Sequence, residues 1–150
     1  FGLEDGVWAV EAGRKGCIVR PLVYVMEEWE DVWFLPLKNT LDKDSRRNLL
    51  NAVGEVVGKC LPYDYRAIIS FALGKRPNED TTKFFCSELS AYLLRVAGVY
   101  KGPICLTPVE VCRLSIYCKD YYCIKGSGKE IEGFNTIKDW ECLVSQKPLL

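Results

Sequence analysis

Histidine is absent from this sequence of 150 residues. The commonest general base and the commonest metal ligand are therefore missing. Within the chain this excludes a Ser-His-Asp triad, a Cys-His pair and any zinc site built on imidazole. Net charge is absent too, because 20 Lys+Arg offset 20 Asp+Glu. A neutral chain gives no overall electrostatic reason to expect nucleic acid or an anionic membrane as a partner. No apolar run is long enough to span a bilayer, so no transmembrane segment is expected. Phe1-Gly2-Leu3 carries no charged leader of the signal-peptide kind. The single Met is Met26, inside a hydrophobic segment. The expectation is a piece of something longer whose first strand is missing.

What is present suits one globular domain. Hydrophobic residues make up 49% and charged residues 27%, a balance that argues against disorder. The eight cysteines are Cys17, Cys60, Cys86, Cys105, Cys112, Cys118, Cys123 and Cys142. No CxxC pair occurs, so neither a zinc ribbon nor a redox motif is supported. Cys105, Cys112, Cys118 and Cys123 have spacings that match no usual zinc knuckle, and no metal is expected. A chain this rich in core residues does not need disulfides. The cysteines read mostly as reduced, buried thiols of a cytoplasmic protein.

Alternating patterns predict strands over Val7–Ala12 and Cys17–Arg20, joined by the turn Gly13-Arg14-Lys15-Gly16. Pro21 opens a short helix running toward Trp29. Val32–Leu37 reads as a strand that Pro36 confines to an edge or an end. Asn39-Thr40-Leu41-Asp42 marks a helix start, and Leu49, Leu50, Val53, Val56, Val57 and Cys60 follow at helical spacing until Gly58 and Pro62 stop it. Arg66 to Leu73 is a short helix. Asp80 or Thr81 can cap the next one, a largely buried helix through Phe84, Leu89 and Val96 that ends at Gly98. Thr107-Pro108 opens a capped helical turn, and Ile116–Ile124 contributes a strand that Gly126-Ser127-Gly128 ends. The order is α+β. The expected division is one domain over 1–126, followed by a C-terminal extension over 127–150.

The chemistry-bearing segment is Thr82-Lys83-Phe84-Phe85-Cys86-Ser87-Glu88-Leu89. It places a cysteine in the first turn of a helix, where unpaired N–H groups and the positive end of the dipole favour a thiolate. The same N–H groups can hold an oxyanion. A cysteine near a helix start is more often a packing residue than a nucleophile.

Gly58, Pro62 and Tyr63 precede Phe85-Cys86-Ser87-Glu88-Leu89, and Gly98 closes the helix. This arrangement resembles the NlpC/P60 papain-like superfamily, and Phe-Cys-Ser-Glu-Leu with Tyr63-Asp64 upstream looks most like its circularly permuted branch of YiiX-like amidases. The lecithin:retinol acyltransferase group is a more distant relative. Val10-Glu11-Ala12 is similar to that family's Ile-Glu-Ala strand, and Thr107-Pro108 to the Thr/Ser-Pro turn after the nucleophile helix. The resemblance spans roughly Trp8 to Cys112. It implies a papain-like fold with a small antiparallel sheet packed on helices. It also implies Cys86 as nucleophile and Glu11 as the third, orienting group. Tyr63 and Ser87 become substrate or oxyanion contacts. The implied reaction is acyl transfer to the thiol followed by hydrolysis of the thioester, without a cofactor.

The family's base is a histidine, and this sequence has none. Three readings follow. The histidine lies upstream of Phe1 or in another chain; the chain is a relative that kept the fold and lost the base; or a carboxylate serves instead, which chemistry disfavours. Ordinary roles stand beside the catalytic ones. Glu11 can face solvent by strand alternation, with Trp8 and Val10 turned to the core. Glu88 suits a helix N-terminal charge that complements the dipole. Tyr63 and Tyr65 suit packing, and Trp8, Trp29 and Trp33 suit the core. Lys38, Lys43, Arg46 and Arg47, balanced by Asp42 and Asp44, form a solvated face.

The leading expectation is a thiol hydrolase or amidase acting on an amide or ester acyl bond of a small-molecule, lipid or peptide substrate. The alternative is a non-catalytic papain-like domain that serves as a structural or protein-interaction module. A lipid acyltransferase ranks lower because no exposed apolar anchor is evident. The tail from Ser127 onward can pack on the domain or on a protein partner.

Overall fold

The computed structural model describes residues 2–3, 6–128 and 135–137, with side chains over 6–128. The strands are β1 (Gly2–Leu3), β2 (Gly6–Gly13), β3 (Gly16–Pro21), β4 (Val32–Phe34), β5 (Asp120–Lys125) and β6 (Asn135–Ile137). The helices are α1 (Leu22–Glu28), α2 (Lys43–Gly58), α3 (Tyr65–Ala72), α4 (Cys86–Val96) and α5 (Pro108–Cys112). The class is α+β, with two small sheets and five helices among the described residues. No helix among these residues is long and apolar enough to cross a membrane.

Contacts group the described chain into two compact units that interleave in sequence. One takes the residues up to Ala9, then Arg20–Thr40 and those from Ser115 onward; the other takes Val10–Val19 and Leu41–Leu114. In the first unit β4 and β5 pair antiparallel, Trp33 opposite Cys123 and Phe34 opposite Tyr122. β6 joins β5 in parallel, Tyr121 opposite Thr136, at the edge of the antiparallel β4–β5 pair. β4 ends before Pro36, which has no N–H for a ladder. Pro36 instead accepts from the Cys118 N–H at 2.9 Å, and Leu37 makes an isolated bridge to Tyr117. Trp29, expected in the core, is 60% exposed because α1 ends at Glu28 and the chain turns extended at Trp29. The tail expectation falls largely outside the described residues, as does Cys142.

The second unit holds the helical core. α2 packs on α4 and α4 on α5, burying Ala52, Val53, Val56, Leu89, Ala91, Leu93 and Val111. Asp42 caps α2 by accepting from the Ser45 N–H at 2.7 Å. Gly58 is the last helical residue, and the turn away falls to Cys60, whose φ of 48° lies in the left-handed region. The Cys60 N–H donates to Val57 O at 2.9 Å and the Leu61 N–H to Val56 O at 3.2 Å, which completes a Schellman motif with a non-glycine at its turning position.

Two further differences from the sequence expectation concern exposure. Cys60 and Cys86 are exposed thiols, Cys17 and Cys105 are buried, and Cys112, Cys118 and Cys123 are half-buried; all seven are free. α3, moreover, exposes Tyr65, Ile68, Ile69 and the following Leu73. An apolar surface therefore exists where none was evident in the sequence.

Candidate functional site

The site is assembled on the connector between α2 and α3. The Cys17 N–H donates to Leu61 O at 3.0 Å on one side of it. On the other side the Phe84 N–H donates to Pro62 O at 3.1 Å and the Asp64 N–H to Phe84 O at 3.1 Å, with Tyr63 and Phe84 in a parallel bridge. Residues 61–64 thus form the middle of a backbone strip. It fixes the β2–β3 hairpin on one flank and the segment leading into α4 on the other. Gly16 is required for the first contact: its φ is +85°, and a Cβ there would sit 2.7 Å from Leu61 O.

This strip also explains why α4 starts later than its sequence suggests. Asp80 does cap, but it caps a turn, accepting from the Thr82 N–H at 2.9 Å and the Thr82 hydroxyl at 2.6 Å. Phe84 then pairs with the connector, and the helix begins at Cys86 with Phe85 as its N-cap. Phe85 offers no side-chain acceptor. Glu88 supplies half of a capping box, its Oε2 accepting from the Phe85 N–H at 3.3 Å.

Cys86 is exposed, whereas its neighbours are not: Phe85 and Ser87 are 3% exposed, Glu88 and Leu89 2%. The first position of α4 therefore presents one thiol from a buried stretch. The Tyr63 phenol is pushed up from its ordinary value, first by burial, then by the charge of Cys86 and then by Tyr65. Cys112, the last residue of α5, is likewise pushed up by burial and then by Cys86. Both groups thus keep their protons near neutral pH, so the Tyr63 phenol stays neutral. Tyr65 packs edge-on against Tyr63, ring centroids 4.9 Å apart.

Ser87, the other expected substrate or oxyanion contact, turns its side chain inward. Its hydroxyl donates to Leu106 O at 2.6 Å inside the core, so that group is committed to the fold. Glu11 lies half-buried on β2, immediately before the buried Ala12, on the hairpin that the Cys17–Leu61 bond holds to the Tyr63 connector.

Sequence reasoning missed the polar cluster beneath the helix start. Glu88 is not a surface charge. Its Oε1 accepts the Cys105 S–H at 3.2 Å, and burial pushes its carboxyl above the ordinary range, with Asp64 adding to the rise. The bonds from Cys105 and Phe85 and the charge of Lys83 work the other way. The Cys105 thiol is pushed up to about 12 by burial, then by its bond to Glu88 and the charge of Glu88. Lys83 Nζ lies 3.2 Å from Asp64 Oδ2 and 3.6 Å from Asp80 Oδ2. Asp64 is buried and caps α3, accepting from the Arg66 and Ala67 N–H groups at 3.0 Å each. The legible signal was a Glu three residues after the N-cap; its burial was not legible. No protein-family model, curated protein or solved structure matches this chain.

Proposed function

We propose that the chain is a papain-like thiol hydrolase of the permuted NlpC/P60 type, with Cys86 as nucleophile and an amide or ester acyl bond as its target. The observation that carries this reading is the exposure of Cys86 alone within the buried run at the start of α4. The Cys86 sulfur attacks the acyl carbon, and the carbonyl oxygen gains charge beside the free N–H groups of the first helical turn. Tyr63 supplies a neutral O–H in the same surroundings. The C–N or C–O bond then breaks, the leaving group takes a proton, and water releases the acid from the thioester and restores the thiol. Glu11 is assigned the orienting role for an imidazole, and that imidazole comes from outside these 150 residues, which hold no histidine. Free thiols throughout the described residues support a cytoplasmic location.

The same missing histidine favours a second reading, a non-catalytic papain-like domain that acts as a structural or protein-interaction module. Iodoacetamide labelling at neutral pH, resolved by residue, separates the two. Cys60 is the internal control because it is equally a free, exposed thiol. Labelling of Cys86 several-fold faster than Cys60 supports the nucleophile. Equal rates leave the module as the reading.

A further inference from the structure

We infer that α3 is a docking surface for an anionic lipid bilayer. This stands apart from acyl transfer, since docking needs no Cys86. α3 is apolar on two sides. Its inner side is filled by Ala67 and by Phe71, whose ring packs edge-on to Phe85 with centroids 5.6 Å apart. Its outer side carries Tyr65, Ile68, Ile69 and Ala72, and the C-cap Leu73 continues it; these positions recur at the spacing of one helical face. Ile69 is 59% exposed and Leu73 69%. A helix of this length, about 12 Å, lies in an interface rather than across it.

Charge selects the occupant. From Tyr65 to Arg76 the chain carries Arg66, Lys75 and Arg76 and no acidic residue. Arg76 pairs with Glu110. Arg66 and Lys75 are exposed and enter none of the ion pairs found among the described residues. Two copies of this face brought together would oppose like charges, which disfavours a second copy as the partner. Anionic headgroups meet the cations while the apolar side chains enter the acyl boundary. The exposed Val23, Tyr24 and Trp29 of the other unit differ, because Glu27, Glu28, Glu30 and Asp31 surround them in sequence.

The test is co-sedimentation of the full chain with phosphatidylcholine vesicles, with and without phosphatidylserine, at low and at physiological salt. Binding is expected to the phosphatidylserine vesicles and to weaken with salt. Arg66→Gln and Lys75→Gln should each weaken it about fivefold. The double variant Ile69→Ser/Leu73→Ser should weaken it about tenfold or more. Val23→Ser/Tyr24→Ser and Cys86→Ala should leave it unchanged. All these positions are exposed, and unchanged far-UV circular dichroism verifies folding. Failure to bind either vesicle overturns the proposal, as does binding indifferent to Ile69→Ser/Leu73→Ser. A dimer in sedimentation that this double variant converts to monomer overturns it in favour of a second copy.

Discussion

Cys86 and Glu88 lie two positions apart on one helix and live in opposite surroundings. The thiol faces solvent; the carboxylate is buried between the Phe85 N–H and the Cys105 thiol. Because burial raises the Glu88 carboxyl, the folded chain holds that proton more tightly than the unfolded chain does. The stability gained from protonation is full below the ordinary value of 4.5 and is lost as pH rises through the raised one. Glu88→Gln should therefore flatten the fall in Tm as pH rises above the ordinary carboxyl value, as thermal melts would check. Glu88→Ala, which removes the cap as well, should cost about 1–3 kcal/mol by denaturant unfolding. Cys105, pushed up to about 12, remains a thiol at neutral pH. It should resist iodoacetamide in the folded protein and react only once denaturant opens the core; labelling as fast as Cys60 would contradict its burial.

At the scale of elements, backbone geometry gives two opposing predictions. Cys60 occupies a left-handed position that glycine adopts without strain. Cys60→Gly should stabilise the protein by about 1 kcal/mol, read as a shift in denaturant midpoint. Gly16→Ala should do the reverse and lose about 1–3 kcal/mol, because the added methyl meets a backbone carbonyl that cannot step aside. Much of this layer was legible. The β2–β3 hairpin, α1, the start of α2 after Asn39-Thr40-Leu41-Asp42, α3 and the Thr107-Pro108 start of α5 all follow from local chemistry, since turn residues and side-chain caps act within a few positions. The start of α4 was not legible. Asp80 carries genuine capping chemistry, yet it serves the turn at 81–82, and pairing of Phe84 with Pro62 and Asp64 defers the helix to Cys86. The cysteine was legible as the first-turn residue; its exposure, the inward turn of Ser87 and the burial of Glu88 depend on partners such as Leu106 and Cys105, far away in sequence.

The whole molecule shows what an average conceals. A net charge of zero argued against an anionic surface as partner, but the cations are not spread evenly: the stretch from Tyr65 to Arg76 has three and no acid. The core is uneven as well. Within its unit α4 is packed by both α2 and α5, while α3 leaves a whole side open. Amide exchange should therefore be slowest along Leu89–Leu93 and faster along α3, a contrast that native-state hydrogen exchange measures directly.

The isolation of Cys86 in its buried run has one further consequence, for descent. A change at 86 touches solvent and disturbs little, whereas a change at 84, 85, 87, 88 or 89 opens the core. Packing therefore exerts almost no selection on position 86. Replacement at 86 is thus tolerated by the fold, whereas Phe84, Phe85 and Leu89 are held in place by the core.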